Sequence, residues 1–260
     1  MPAENSNNSV IHLILTRFII EFKLKFLDRK VIYSDEYLLN GIRVMKKYLF
    51  PSLESQSCNN FTWLLLLGNK ANITHVESLL NFNQSFKSKI LYLKDFKNFL
   101  KDVTEGFNIL ITTRIDYDDA IYYDAVNDVR KLINIKKPII VHGYNRGVMN
   151  YEINNKNYDF YYFRKLNAGV WSVFASLIIN LNKVNDTYTI YDIGPHYDLR
   201  KNIINSYKNY GINSLNYEPA IFDSGSPKFI YVRQNYSGTY KKISNKRHSN
   251  DFDLNIFYGK

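Results

Sequence analysis

The stretch Phe107-Asn-Ile-Leu-Ile-Thr-Thr-Arg-Ile115, followed at once by Asp116-Tyr-Asp-Asp-Ala120, decides the reading of this chain. Its first half is apolar and rich in β-branched residues, which predicts a buried strand. Its second half is acidic: between Ile115 and Val129 stand five aspartates, at 116, 118, 119, 124 and 128, with no Lys or Arg among them. Similar apolar runs at Val10–Thr16, Phe61–Leu67, Lys89–Leu93 and Lys137–His142 read as further strands. Between them, Asp35–Leu49, Asn72–Phe82, Asp95–Val103 and Asp119–Ile133 have helical apolar spacing, the first with Ser34 or Asp35 as its N-cap. Strands alternating with helices of this length imply right-handed βαβ units and a mainly parallel α/β sheet.

The pattern changes after His142. Val148–Ile153 and Tyr158–Phe163 flank an Asn-Asn-Lys-Asn turn and predict an antiparallel hairpin. Trp171–Asn180 reads as a helix, Tyr188–Asp192 as a strand, Asp198–Tyr207 as a helix and Lys228–Arg233 as a strand. With no Pro/Gly-rich linker and no internal repeat, one continuous domain is expected. Residues 1–9 form a flexible N-terminus, 10–142 a nucleotide-binding half, 143–240 an acceptor-binding half and 241–260 a basic tail.

Composition narrows the class. The 260 residues are 45% hydrophobic and 16% aromatic, which excludes intrinsic disorder. The one cysteine, Cys58, excludes an intramolecular disulfide framework and fits a reducing compartment. The Asn-rich start lacks the features of a signal peptide, and the longest apolar stretch, Trp63–Leu67, is far short of a membrane span. A cytoplasmic protein is expected, with peripheral contact to an anionic membrane in keeping with its charge. That net charge of +10 points to an anionic partner.

The acidic island interrupts this basic background directly after a predicted strand, where open α/β sheets bind ligands. Asp116 and Asp118 are two residues apart and share a side in extended backbone. Such a pair offers hard oxygen ligands to a divalent cation, which in turn neutralises a diphosphate leaving group. The plainer alternative is helix capping by Asp118 and Asp119; Asp119 is the better cap, Asp116 and Asp118 the better functional pair.

At these residues the chain resembles the rhamnosyltransferase family of GT-A-fold glycosyltransferases. The resemblance is carried by HLILTRF (His12–Phe18), SLESQSCNNFTWLLLL (Ser52–Leu67) and ITTRIDYDDAI (Ile111–Ile121), with weaker echoes in TYTIYDIGPH (Thr187–His196) and FIYVRQNYS (Phe229–Ser237), where Gln234 replaces an expected His. It implies a GT-A-type mixed sheet flanked by helices, a nucleoside-diphosphate sugar donor, and Mn²⁺ or Mg²⁺ held by Asp116 and Asp118. It also implies transfer to a glycan, lipid-linked or protein acceptor, with the sugar not fixed by the family label. His196 is the first candidate for a third metal ligand and His142 the second. Asp116 meets the ribose or the metal, and Thr113 and Arg114 lie beside the donor.

Other residues carry two readings each. Arg17, at the end of the first strand, either holds a diphosphate or base or makes a surface ion pair. Arg114 either pairs with an aspartate or touches the donor, the structural role being favoured. Asp192, Asp198, Glu218 and Asp223 are all candidates for a catalytic base, and their spacing selects none. Phe160, Tyr161, Tyr162, Phe163 and Trp171 are either a sugar platform or core. Two other functions compete: a nucleic-acid-binding module, suggested by charge and aromatics, and a catalytically inactive donor-binding protein. Scattered basic residues and the absence of any nucleic-acid signature favour a glycosyltransferase with no nucleic-acid partner.

Overall fold

Strands β1 (Val10–Phe18), β2 (Thr62–Leu67), β3 (Lys87–Tyr92) and β4 (Ile109–Arg114) are the parallel half of a seven-stranded sheet. The computed structural model describes residues 9–20, 29–81, 84–144, 146–151, 156–161, 174–184, 186–193, 217–222, 228–233 and 253–260. The sheet continues through β9 (Ala175–Asn180), β6 (Ile139–Tyr144) and β10 (Tyr217–Phe222), in the order β10-β6-β9-β4-β1-β2-β3. β9 runs antiparallel to both neighbours, pairing Arg114 with Ala175 on one side and Gly143 with Ala175 on the other. A smaller sheet holds β5 (Ala120–Ile121), β11 (Phe229–Arg233), β7 (Arg146–Tyr151) and β8 (Lys156–Tyr161), in that order.

Alternation along the strands divides the core in two. One sheet face, with Ile14, Phe18, Trp63, Leu65, Leu67, Ile111 and Ile178, is covered by helix α2 (Asp35–Val44), the π-helical turn Met45–Leu49, α3 (Phe50–Glu54), α4 (Ile73–Leu80) and α6 (Ala125–Lys131). The other, with Leu13, Leu15, Leu64, Leu66, Leu110, Val141 and Leu177, meets α5 (Phe96–Thr104) and the turn at 188–193. Because both faces are buried, these strands read as near-continuous apolar runs. A short helix, α1 (Arg29–Ile32), precedes α2.

The predicted strands at 10, 61, 89, 107, 137 and 228 and the hairpin are present, with ends shifted by a few residues. The first helix starts at the predicted cap, where Ser34 Oγ accepts from Tyr37 N–H at 3.2 Å. Three expectations fail. Trp171–Asn180 is no helix over its described part: Ala175–Asn180 is the antiparallel strand β9, and its Ser-Leu-Ile-Ile run has no period to separate strand from helix. Tyr188–Asp192 is a turn, with Thr189 N–H and Oγ–H both donating to Asp192 Oδ2, at 2.7 and 2.8 Å. The helix expected from Asp119 starts at Ala125, because Ala120 and Ile121 pair with β11 instead. The expected helix at 198–207, the N-terminus 1–8 and the basic tail at 241–248 lie outside the described residues.

One row of polar side chains crosses the core. His12 Nε2 and Thr113 Oγ1 are 2.7 Å apart, and Thr113 Oγ1 and Ser176 Oγ 2.8 Å. His142 is the register partner of Ser176 on the next strand. Burial pushes both histidines down to about 3, helped at His12 by the charge of Arg130. Both are therefore neutral in the fold, whereas in the unfolded chain they titrate near 6.5. Above 6.5 this costs nothing; as pH falls from there towards 3 the unfolded chain binds protons that the fold refuses, and stability drops. Urea unfolding at pH 5 is expected to show a loss of roughly 2 kcal/mol per histidine relative to pH 7, and His12→Gln should remove about half of it.

Candidate active site

The carboxyl ends of β1 and β4 lie side by side at one edge of the sheet, Leu15 paired with Arg114. Side-chain alternation turns Arg17 and Arg114 towards the same face. There the ring of Tyr191 lies under both: the guanidinium carbon of Arg17 is 4.1 Å from the ring centroid and that of Arg114 5.5 Å. The Tyr191 hydroxyl donates to Leu15 O at 3.1 Å, and Ile190 N–H donates to Thr112 Oγ1 at 2.9 Å, so the turn is tied to both strands. Burial pushes the Tyr191 phenol up to about 12, against the pull of the two arginines. It stays a neutral donor at physiological pH.

Arg114 is 7% exposed, and one of its terminal nitrogens stands 3.3 and 3.4 Å from the two carboxylate oxygens of Asp116. Arg114 thus pairs with Asp116, the contact that its structural reading calls for. Between the two aspartates, Tyr117 turns inward and packs on Phe18, with centroids 4.9 Å apart, and edge-on against Tyr37. Gly41 of α2 allows this, since a Cβ there would sit 2.4 Å from the Phe18 ring. Asp116 and Asp118 are left partly exposed on either side of the anchored tyrosine. Asp119, by contrast, is fully buried, and its Oδ1 accepts from Val232 N–H of β11 at 3.1 Å. It does not cap α6, as the sequence reading had it; it joins the acidic loop to the second sheet.

Just beyond Arg17 and Phe18, Ile19 has φ of 52°, in the left-handed region that a β-branched residue rarely adopts. Ile19 O lies 2.2 Å from where a Cβ on Gly68 would be, so the ends of β1 and β2 meet through that glycine. A cavity of about 420 Å³ opens beside this contact, lined by Ile20, Tyr33, Gly68, Asn69, Lys70, Leu93 and Lys94. Backbone outliers of this kind cluster where chains are held for function.

The remaining candidates are scattered. Thr113 points into the core, its hydroxyl engaged with His12 and Ser176 and away from the edge. His142 is fully buried, edge-on to Tyr144 at 4.7 Å and to Phe174 at 6.2 Å. Asp192 is exposed and closes its own turn next to Tyr191. Glu218 lies on β10, opposite Ile140. His196, Asp198, Asp223 and Gln234 lie outside the described residues, as do Tyr162, Phe163 and Trp171; Phe160 and Tyr161 are on β8. Tyr191, Tyr37 and Tyr117 are the site residues that sequence reasoning missed. The Thr189-Ile-Tyr-Asp192 spacing signals the turn that carries the first, but not its place under two arginines.

Among the described residues no group of three or more His, Cys, Asp or Glu side chains is placed to hold a metal ion. Two carboxylates at a sheet edge nevertheless fit a cation that takes its other ligands from phosphate and water.

The family profile described as "Putative rhamnosyl transferase" matches residues 17–199, more than two thirds of the chain. The chain belongs to this family. The rhamnosyl transferase match begins at Arg17 and takes in Asp116, Asp118, Tyr191 and His196. The mixed α/β sheet with helices on both faces is the layered architecture that the resemblance implied. No curated protein sequence matches the chain. Among solved structures, it resembles a "putative nucleotide-diphospho-sugar transferase" of Desulfovibrio desulfuricans, with 10% identity over 86% of this chain and 80% of that one and a TM-score of 0.39. It also resembles S. aureus TarS 1-349, with 13% identity, 85% and 60% coverage and a TM-score of 0.43. A cytidylyltransferase from Leptospira borgpetersenii gives 12%, 85% and 80%, and 0.41. No helix among the described residues is long and apolar enough to cross a membrane.

Two substitutions separate the roles described here. Asp119→Ala leaves the Val232 amide buried without its acceptor and is expected to cost about 1–3 kcal/mol in denaturant unfolding, whereas Asp119→Asn, which keeps an acceptor oxygen, should lose much less. Gly68→Ala drives a methyl into Ile19 O and should lower stability by about 1–3 kcal/mol, read as a fall in Tm.

Proposed function

We propose that this chain is a metal-dependent glycosyltransferase that moves a sugar, rhamnose or another hexose, from a nucleoside-diphosphate donor to the hydroxyl of a glycan, lipid-linked or protein acceptor. The observation that carries this reading is the pair Asp116 and Asp118, partly exposed on either side of the inward Tyr117, one strand away from Arg17. The family match supports it.

The edge offers places for the parts of such a donor. The cavity at the ends of β1, β2 and β3 has an aromatic wall in Tyr33 and cations in Lys70 and Lys94, which suit a nucleoside and its phosphates. Neighbouring strands are about 4.8 Å apart, so a nucleoside there brings its diphosphate towards Arg17 and the two carboxylates. Arg17, aligned by the Tyr191 ring, pairs with phosphate oxygens. Arg114 holds the Asp116 carboxylate in its direction through their ion pair. Mn²⁺ or Mg²⁺ held by Asp116 and Asp118 would supply positive charge to the departing diphosphate.

A thermal-shift screen of UDP-, GDP- and dTDP-sugars, each with Mn²⁺ or with EDTA, tests the reading. One donor should raise Tm with Mn²⁺ only, since a ligand at 100 times its Kd adds about 2.7 kcal/mol of apparent stability. Asp118→Ala should abolish the shift. Arg17→Ala should weaken binding about tenfold to a hundredfold, the range for a lost hydrogen bond to a charged group. Equal shifts with Mn²⁺ and EDTA would rule out metal dependence.

A further inference from the structure

The acidic loop is held from behind by a segment far from it in sequence. β5, the two residues that follow Asp119, has β11 on one side, pairing Ile121 with Phe229 and Ala120 with Ile230. Where β5 ends, Tyr122 N–H donates to Lys228 O at 2.9 Å and Tyr123 N–H donates to Phe257 O at 3.2 Å. Phe257 belongs to the short helix Leu254–Phe257. A helix of four residues has no stability of its own, so its order comes from what it docks on. Phe257 is only 2% exposed and packs in one cluster with Val44, Tyr48, Ala120, Ile230 and Val232. Its ring stands edge-on to Tyr122, with centroids 6.0 Å apart. The Tyr258 hydroxyl donates to Tyr48 O at 3.4 Å, and Gly259, at φ of 67°, lies against the Tyr123 ring.

The same cluster contains Val232, whose amide is the donor to Asp119 Oδ1. Asp119 N–H in turn donates to Asp116 O at 3.1 Å, closing the turn that carries Tyr117 and Asp118. A continuous set of contacts therefore runs from Phe257 through β11 and Asp119 to the backbone of Asp116. We propose that Phe257 and its helix are a positioning clamp for the acidic loop, fixing Asp116 and Asp118 in the arrangement that receives the donor's cation. The second half of that statement rests on the metal-binding reading of the two carboxylates; the first half does not.

Amide hydrogen exchange and Mn²⁺ titration of the full chain, followed by electron paramagnetic resonance, test the two halves separately. In Phe257→Ala the amides of Asp119, Tyr122, Tyr123 and Val232 should exchange at least tenfold faster, with those of β1 and β4 unchanged, and Mn²⁺ affinity should fall at least threefold. Phe257→Leu, which refills only part of the volume, should show both changes at smaller amplitude. Unchanged exchange at those four amides, or equal acceleration across both sheets, would overturn the clamp. If Phe257→Ala does not fold, Phe257→Leu compared with the unmodified chain carries the same comparison at smaller amplitude. Unmodified protein that binds no Mn²⁺ would overturn the metal half and leave exchange to decide the clamp.

Discussion

One buried carboxylate sets the shape of the region where chemistry is expected. Asp119 is a carboxyl group without exposure to solvent, a placement that is tolerated only with compensating hydrogen bonds. Its bond to the Val232 amide draws β11 onto the acidic loop and joins the smaller sheet to the larger one. With Asp119 buried and Tyr117 packed, partly buried, against Phe18 and Tyr37, Asp116 and Asp118 are left partly exposed on either side. A loop with five aspartates close together has a strong tendency to spread by mutual repulsion. Here partners within the fold oppose it: Asp119 has a backbone donor, Asp116 has Arg114, Asp124 the Ser57 hydroxyl and Lys131, and Asp128 the Tyr144 hydroxyl and Lys131.

Much of the larger sheet was legible because its strands are apolar on both sides and its helices carry caps and a clear period. Val10–Phe18 and Thr62–Leu67 could be nothing but buried strands, and Ser34 announced its helix. The failures share a cause. Ala175–Asn180 is buried on both faces, which removes the alternation that distinguishes a strand, and its partners are 32 or more residues away on β6 and β4. Ala120–Ile121 is a strand only because β11 lies beside it, and Asp119 looked like a cap because its true donor, Val232, is over a hundred residues distant. At the site, the Asp116/Asp118 pair and Arg17 were visible as types in a pattern. Tyr191 was not, since nothing in a single tyrosine shows that two arginines on different strands will stack over it.

The charge of the chain takes on a different meaning in this setting. A surplus of +10 spread over a surface favours polyanions in general. At the sheet edge, however, cation and anion alternate over a few residues: Arg17 and Arg114 on one side of Tyr191, Asp116 and Asp118 beyond it, Lys70 and Lys94 around the neighbouring cavity. Such an arrangement presents charges of both signs within a short distance instead of one uniform positive field.

The reversed direction of β9 has a consequence for how such a protein can diversify. β6 ends at the edge that carries the acidic loop, and β9 begins there, with Gly143 and Ala175 as paired residues. The chain between them, which includes the β7–β8 hairpin, thus departs and returns at a single point. Its length and content can change without altering the register of any strand in the larger sheet. Because β7 in this excursion also pairs with β11, the strand that holds Asp119, the part free to vary is what lies outside that pairing.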